Sequence, residues 1–122
     1  MNFPLIIDEN GALFFCKTKE DAENYLELQD IIENEYVAYD SDGRLLLLKI
    51  EEANKPVLFG LIEKKIPKVV IECAETTPMH RSELYNKLLT FYKKITRGAE
   101  INSEVSLKEL LSMVIEKSGY CD

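Results

Sequence analysis

Hydrophobic and polar positions alternate along the N-terminal part of the chain, and this alternation predicts β-strands. Apolar runs at residues 4–7 and 11–16 flank the dipeptide Asn10-Gly11. Asn-Gly is a strong signal for a tight turn, because both residues tolerate a positive φ. We therefore expect an N-terminal β-hairpin. Further strands are expected at residues 36–39, 44–51, 57–62 and 68–74.

The most apolar run of the chain is Leu45-Leu46-Leu47-Leu48, which follows a turn predicted at residues 40–43. Both alternating faces of this run are apolar, as is typical of a strand that is covered on both sides. The run therefore predicts a central strand of an antiparallel sheet. The segments 54–56 and 66–67 contain proline and are interpreted as breaks between strands.

The first region with a helical spacing of apolar residues lies before these later strands. Apolar residues of the segment 22–26 share one helix face, and Thr18 is placed to cap the start of the helix. The connector 28–34 has two interpretations. It either prolongs this helix or carries a short strand at residues 31–32.

Two helices are predicted in the C-terminal part of the chain. Thr77-Pro78 indicates the start of one, because threonine caps helices and proline suits the first helical position. Gly98 indicates the end of this helix. Ser106-x-x-Glu109 is a capping box that predicts the start of the last helix, and Gly119 indicates its end.

These elements predict the α+β class. The expected fold is an antiparallel sheet of about five to six strands, with one helix from the N-terminal half and two C-terminal helices packed on it. A chain of 122 residues has the length of one domain and can bury a real core. Residues 1–122 are therefore expected to form a single domain.

The charge is divided unevenly along the chain, whose net charge is -7 and whose pI is about 4.8. Residues 8–52 hold 13 acidic and 4 basic residues, whereas residues 53–122 hold 9 acidic and 11 basic residues. An acidic protein is a poor direct ligand for nucleic acid, because phosphates attract a basic surface. A basic protein partner is favoured instead. No apolar run is long enough for a membrane span, and no secretory signal is predicted at the N-terminus.

Three cysteines, Cys16, Cys73 and Cys121, are odd in number and far apart in sequence. This spacing favours neither a disulfide framework nor a zinc site, which usually has close cysteine pairs. All three are expected to be free thiols in a reducing cytoplasm. Cys73 alternates with apolar residues of its strand and is expected in the core.

No catalytic, metal or cofactor site is predicted, and the chain is expected not to be an enzyme. His80 is the only histidine, and a dyad with Cys73 is the main enzymatic alternative. The segment 40–43, Asp-Ser-Asp-Gly, has part of a calcium-loop pattern, but its glycine comes too early, and we interpret it as a hairpin turn. The five glycines are scattered and form no phosphate-binding loop.

Four segments of the chain resemble small bacterial immunity proteins, including those of contact-dependent growth inhibition and other polymorphic toxin systems. The resemblance covers roughly residues 8–97, and the order of its motifs is distinctive. The segments are Glu-Asp-Ala-Glu-Asn-Tyr-Leu-Glu at 20–27, Glu-Tyr-Val-Ala-Tyr-Asp-Ser-Asp-Gly-Arg-Leu-Leu at 35–46, Val-Val-Ile-Glu-Cys-Ala-Glu at 69–75 and His80-x-x-Glu83-Leu84.

The resemblance implies a noncatalytic cytoplasmic protein that binds one cognate toxin domain, often a nuclease, in a 1:1 complex and blocks it. Nuclease clefts are basic, so an acidic protein can occupy one in place of phosphate. The expected toxin-binding residues cluster in sequence around the connector and the second turn. They are Glu27, Asp30, Glu33, Glu35, Asp40 and Asp42. The alternatives are an acidic adaptor or regulatory module with another basic partner, and acidic residues that serve solubility alone.

Overall fold

A computed structural model describes residues 1–58, 60, 62–102 and 104–121, with the backbone alone for residues 53–57, 63 and 64. The described residues confirm the α+β class. In chain order the elements are β1 (Leu5–Glu9), β2 (Ala12–Cys16), α1 (Lys19–Tyr25), α2 (Leu28–Ile32), β3 (Tyr36–Tyr39), β4 (Leu46–Val57), β5 (Ile62–Cys73), α3 (Arg81–Ile95) and α4 (Leu107–Ser118).

The described strands form two antiparallel sheets and not the one sheet of five to six strands that the sequence predicted. One sheet has the order β2-β1-β3, and the other consists of β4 and β5 alone. A single bridge between Tyr39 and Leu45 leads from the first sheet to the second. The helix count also differs from the prediction, because the connector forms α2, a separate helix, and neither of the two predicted alternatives.

The predicted hairpin around Asn10-Gly11 is confirmed. Asn10 has a φ of 51° and Gly11 a φ of 95°, as a tight hairpin turn requires. The Asp8 carboxylate accepts a hydrogen bond of 2.8 Å from the backbone N–H of Gly11. β1 and β2 then pair over their full length, from Leu5 opposite Cys16 to Glu9 opposite Ala12.

The core lies on both faces of the three-stranded sheet, with β1 at its centre. Ile6 points to one face, where it packs with the buried side chains of α3 and α4. Leu5 and Ile7 point to the other face, where they pack with α1 and with the inner face of β4 and β5. The central strand is therefore β1, which has a neighbouring strand on each side and a packed layer on each face.

The prediction that the leucine run is a central strand is wrong. β4 has one partner strand, and only alternate residues of the run are covered: Leu46 is 6% exposed, whereas Leu47 is 43% exposed. Leu46 belongs to the buried cluster around Leu5 and Ile7. An uninterrupted apolar run thus forms a strand with one open face.

Both strands of the second sheet continue through a proline, so the two predicted strand breaks are wrong. Pro56 lies in β4 and Pro67 in β5. The backbone N–H of Ile71 points away from β4 and donates to Glu23 Oε2 at 3.0 Å. Pro67 is four residues earlier on the same strand, so its nitrogen also points away from β4. No hydrogen bond between the strands is lost there.

The strand predicted at residues 57–62 is wrong over its described residues, because the tip of the long hairpin lies there. Val57 ends β4 and Ile62 begins β5. Leu58 and Gly60 have positive φ values of 53° and 82°. Residues 59 and 61 lie outside the described residues.

Side-chain caps fix the starts of α1 and α4 as predicted. Thr18 Oγ1 accepts from the N–H of Asp21 at 3.0 Å, and Ser106 Oγ accepts from the N–H of Glu109 at 3.1 Å. The start predicted for α3 is wrong, because α3 begins at Arg81 and not after Thr77. A contact between His80 and the distant turn at Gly43 sets that position.

The structure pairs Cys16 with Cys121 as a disulfide, so the prediction of three free thiols is wrong for these two. Their Cα atoms are 5.6 Å apart, which is within the range that disulfides span. Cys121 also donates its N–H to Phe15 O at 2.8 Å, so the segment after α4 returns to the end of β2. Cys73 is a free thiol as predicted, but it is exposed and does not lie in the core.

Leucine-to-alanine substitutions at adjacent positions test which face of β4 is buried. Leu46→Ala should lower the free energy of unfolding by about 2–4 kcal/mol, because it leaves a cavity in the core. Leu47→Ala removes the same atoms from an exposed face and should cost under about 1 kcal/mol. Chemical denaturation of the two variants and the parent measures both values. Equal losses would contradict the one-sided packing of β4.

Thiol counting tests the cysteine pairing. In protein purified without reductant and then denatured, only Cys73 should react with a thiol reagent, because Cys16 and Cys121 are paired. All three cysteines should react after reduction. A Cys73→Ser control should show no reactive thiol before reduction. Three reactive thiols in the unreduced parent would overturn the pairing.

Candidate functional site: the acidic residues at the two ends of β3

The structure separates the six predicted toxin-binding residues into two groups. Glu27, Asp30, Glu33 and Glu35 precede β3, whereas Asp40 and Asp42 follow it. The strand between residues 35 and 40 spans about 16 Å at the usual rise of a β-strand. The six residues therefore do not form one continuous contact surface.

Two residues of the first group, Glu27 and Asp30, lie with Glu9 of β1 close to the phenols of Tyr25 and Tyr36. We call this the acidic surface. Glu9 lies opposite Tyr36 in the pairing of β1 with β3. The Tyr36 hydroxyl donates to Asp30 Oδ2 at 3.1 Å and accepts from the N–H of Glu27 at 3.5 Å. The acidic surface comprises Glu9, Tyr25, Glu27, Asp30, Glu35 and Tyr36.

Glu35 is held at the edge of this surface by Asn10, whose Nδ2 donates to Glu35 Oε2 at 3.2 Å. Glu33 is exposed at the end of α2, where Gln29 Nε2 donates to its Oε1 at 2.9 Å. Glu33 contacts neither the two tyrosines nor Asn10, the residue next to Glu9, in the described structure, so we leave it outside the acidic surface.

Burial and, after it, nearby negative charges raise the pKa of both tyrosine hydroxyls. The pKa of Tyr36 is raised to about 12, chiefly by burial. Its hydrogen bond to Asp30 and the charges of Glu9 and Asp30 act in the same direction, and the N–H of Glu27 acts against them. The pKa of Tyr25 is also raised, first by burial and then by Glu9 and Glu27. Both phenols are therefore neutral hydrogen-bond donors at neutral pH.

Asp40 is fully buried and is not available to a partner, contrary to its place among the predicted contact residues. Its Oδ1 accepts from the N–H groups of Asp42 at 3.0 Å and Arg44 at 2.9 Å. Its Oδ2 accepts from Asn2 N and from Arg44 Nη1, both at 3.1 Å. Burial alone would raise the pKa of Asp40, but the hydrogen bonds from Arg44, Asn2 and Asp42 outweigh burial and lower the pKa.

Asp42 is partly exposed but is also engaged within the protein. Arg44 Nη1 lies 2.9 Å from Asp42 Oδ2, which in addition accepts from the side chain of Asn2. Asp40 and Asp42 thus share one guanidinium and hold the N-terminal segment. These two aspartates stabilise the fold, and sequence reasoning had assigned them to the surface because turns usually project into solvent.

The imidazole of His80 contacts a carboxylate and not a thiolate. His80 Nδ1 lies 2.7 Å from Glu75 Oε2. Glu75 Oε1 accepts from the N–H of Leu45 at 2.8 Å and from that of Met79 at 3.4 Å. The pKa of Glu75 is lowered, first by the hydrogen bond from Leu45. Glu75 therefore links the start of β4 to the approach to α3.

A second polar cluster, around Lys87, was missed by sequence reasoning. Lys87 Nζ lies 2.7 Å from Asp8 Oδ2 and 4.9 Å from the centre of the Tyr39 ring. The Tyr39 hydroxyl donates to Glu83 Oε2 at 2.7 Å, and burial is the main cause that raises its pKa to about 12. The helical spacing of Glu83 and Lys87 was a weak signal for a pair. Nothing in the sequence indicated Asp8 or Tyr39.

Three residues of this cluster, Asp8, Glu83 and Lys87, line a cavity of about 350 Å³ together with Asn86 and Thr90. A larger cleft of about 610 Å³ lies between the N-terminal segment and α4. Among the described residues, no group of three or more histidine, cysteine or acidic side chains could hold a metal ion. None of the helices in the described part of the chain is long and apolar enough to cross a membrane.

Comparison with known proteins found no match to a family model, to a curated protein or to a solved structure. The resemblance to immunity proteins therefore stays a prediction from the motifs of the sequence.

The buried aspartate should give the fold a characteristic dependence on pH. Because its folded-state pKa is lowered, the Asp40 carboxylate stabilises the protein above about pH 4, and this contribution is lost as the pH falls through the folded-state pKa. Asp40→Asn should be less stable than the parent by at least about 2 kcal/mol at pH 7. Its stability should also decline less than that of the parent between about pH 4 and pH 2.

Denaturation at a series of pH values measures this dependence. Glu100→Gln, at an exposed carboxylate, is the matched control and should leave the pH profile of the parent unchanged. If the free energies of unfolding of the parent and of Asp40→Asn fall equally between about pH 4 and pH 2, Asp40 carries no such stabilisation.

Proposed function

We propose that this chain is a noncatalytic binding protein of the immunity-protein type, which neutralises one cognate toxin domain through its acidic surface. The observation that carries the proposal is that Glu9, Glu27 and Asp30 lie close to two tyrosines, with Glu35 bound to Asn10 at the edge of this group. Glu9 belongs to β1, Glu27 lies between α1 and α2, Asp30 belongs to α2, and Glu35 directly precedes β3. Hydrogen bonds from Tyr36 and Asn10 hold two of these carboxylates, those of Asp30 and Glu35.

The chemistry of the acidic surface suits a basic cleft. No described lysine or arginine forms an ion pair with Glu9, Glu27, Asp30 or Glu35, so their charge is not neutralised within the described part of the chain. A nuclease domain binds phosphates in a basic cleft, where such carboxylates can take the place of phosphate oxygens. Complementary charge also speeds capture, to about 10⁸ M⁻¹s⁻¹ or more at low salt.

The two tyrosines add a second kind of contact to the same surface. Tyr25 and Tyr36 are partly buried, and aromatic residues of this kind are enriched in protein interfaces. Tyr25 also packs on Phe14, with ring centroids 4.9 Å apart, so its ring is fixed before binding. A fixed aromatic side chain loses little conformational entropy when a partner covers it. The tyrosines would therefore anchor a partner that the carboxylates attract.

The proposed complex has one toxin domain per chain and involves neither nucleic acid nor a membrane directly. We propose a cytoplasmic location from the resemblance alone, because the Cys16–Cys121 pair removes the support that free thiols gave to a reducing compartment. The alternative is an acidic adaptor with a different basic partner. An adaptor would use the same acidic surface, but it would not protect cells from a toxin.

Charge reversal on the acidic surface tests the proposal. The partner to use is the domain encoded by the gene directly upstream of this chain. The double substitution Glu27→Lys with Glu35→Lys should slow association with that domain at least about tenfold and weaken the salt dependence of the rate. Glu100→Lys with Glu104→Lys makes the same charge change at exposed positions between α3 and α4, and should leave the rate unchanged.

Growth of cells that express the upstream domain separates the two candidate functions. Cells should survive with the parent chain and with the Glu100/Glu104 control, but not with the Glu27/Glu35 variant. Binding without protection would favour the adaptor. Protection and unchanged binding by a folded Glu27/Glu35 variant would show that the acidic surface is solvated and that the interface lies elsewhere.

A further inference from the structure

The hydrogen-bond pattern of the β4–β5 hairpin defines which backbone groups face outward. Ala74 N–H donates to Leu45 O at 3.1 Å, so this pair is bonded across the hairpin. Ile71, which lies opposite Leu48, points its N–H away from β4, to Glu23. Bonded and unbonded pairs alternate along an antiparallel ladder. The outer edge of β4 is therefore formed by the backbone groups of Leu46, Leu48, Ile50, Glu52 and Asn54.

In the described part of the chain, the outer edge of β5 has a hydrogen-bond partner from α1, whereas the edge of β4 from Leu48 to Glu52 has none. Glu23 accepts the outward N–H of Ile71, and Pro67 has no N–H at an outward position of the same edge. Natural proteins protect exposed strand edges with such charges and prolines. On β4 the first proline is Pro56, near the hairpin tip. Within the described part of the chain, no group pairs with the outward N–H of Leu48, Ile50 or Glu52.

The outer half of the hairpin also lacks a covering layer among the described residues. Leu48, Val69 and Ile71 pack against the core, but Ile50, the next inner-face residue of β4, is 37% exposed. A two-stranded hairpin without such a layer is marginally stable in water. Additional strands on the edge of β4 would stabilise this half of the hairpin.

We propose that the outer edge of β4 pairs with the same edge of a second copy of this chain, in antiparallel orientation, to form a continuous four-stranded sheet. The two-fold axis would pass between Ile50 and the partner's Ile50. Leu48 would then lie opposite the partner's Glu52. In this register the outward N–H and C=O groups of one β4 face those of the other β4. The N–H and C=O groups of these residues would form the new ladder.

Charge complementarity supports this occupant and this register. Between the hydrogen-bonded pairs, Lys49 would lie opposite the partner's Glu51, and Glu51 opposite the partner's Lys49. Opposite charges in such cross-strand pairs are stabilising. A shift of the axis by two residues toward the tip would place Glu52 opposite the partner's Glu52, where like charges repel. The edge of β4 is thus complementary to itself in the register centred on Ile50.

The mass of the protein in solution tests the proposal. Sedimentation equilibrium measures it over a range of concentrations that includes about 100 μM. The parent should show a concentration-dependent shift from 14.0 kDa to twice that mass. Lys49→Glu and Glu51→Lys should each raise the dissociation constant at least about tenfold, because each places like charges opposite one another twice. Lys117→Glu and Glu104→Lys are the matched controls at exposed positions and should dimerise like the parent.

A mixture of the two single variants provides the decisive measurement. In a heterodimer of Lys49→Glu with Glu51→Lys, both cross-strand pairs are again opposite in charge, so mixing should restore the dimer. Circular dichroism checks that each variant is folded, because Lys49 also forms an ion pair of 2.8 Å with Glu72. Ile50→Pro removes an outward N–H but no hydrogen bond to β5, and it should also give the single-chain mass.

Three outcomes would overturn the proposal. A parent that stays at 14.0 kDa at the highest concentration has no such dimer. Folded Glu51→Lys and Ile50→Pro variants that dimerise like the parent would place the interface elsewhere. A mixture that fails to restore the dimer would exclude the register centred on Ile50. The test uses this chain alone, so these outcomes do not bear on binding to a toxin.

Discussion

The buried carboxylate of Asp40 is the interaction on which the relative placement of several segments depends. Its four hydrogen bonds hold the N-terminal segment at Asn2 and close the turn that ends at Arg44. Arg44 extends this network, because its Nε donates to Thr76 O at 3.1 Å. One neutralised charge thus links the start of β1, the end of β3, the start of β4 and the approach to α3. Removal of either partner would leave an unpaired charge or unsatisfied backbone groups at this junction.

Gly43 connects this junction to α3, because it contacts the residues at the start of that helix. A Cβ atom at Gly43 would lie 2.7 Å from Arg81 Cα, and its φ of 90° disfavours other residues, so both the space and the conformation require glycine. The Gly43 carbonyl accepts from His80 N–H at 3.0 Å, and Arg81 Nε donates to Asp42 O at 3.0 Å. These contacts position the first turn of α3. Thr77-Pro78 was a locally sound signal for a helix start, but a contact with a distant turn determined where the helix begins.

The sequence predicted those features that a few neighbouring residues determine, such as the Asn10-Gly11 turn and the caps at Thr18 and Ser106. It did not predict the division into two sheets, because alternation of apolar residues shows which faces are apolar but not which strands are neighbours. The same limit applies to the candidate site. Clustering in sequence grouped Glu27, Asp30 and Glu35 with Asp40. It could not show that Asp40 is buried, because that burial depends on distant contacts with Asn2 and on Arg44.

The concentration of acidic residues between positions 8 and 52 therefore overstates the charge that a partner would meet. Asp8 is paired with Lys87, and both aspartates of the second turn are paired with Arg44. Charges paired in this way contribute little to the field outside the protein. Glu9, Glu27, Asp30 and Glu35 of the acidic surface have no described ion-pair partner. The same holds for acidic residues elsewhere in this segment, such as Glu20, Asp21, Glu33 and Glu51. What distinguishes the acidic surface is the pair of neutral phenols beside its carboxylates. A hydrogen bond to a phenol depends on orientation, so a partner attracted there by charge would also be oriented.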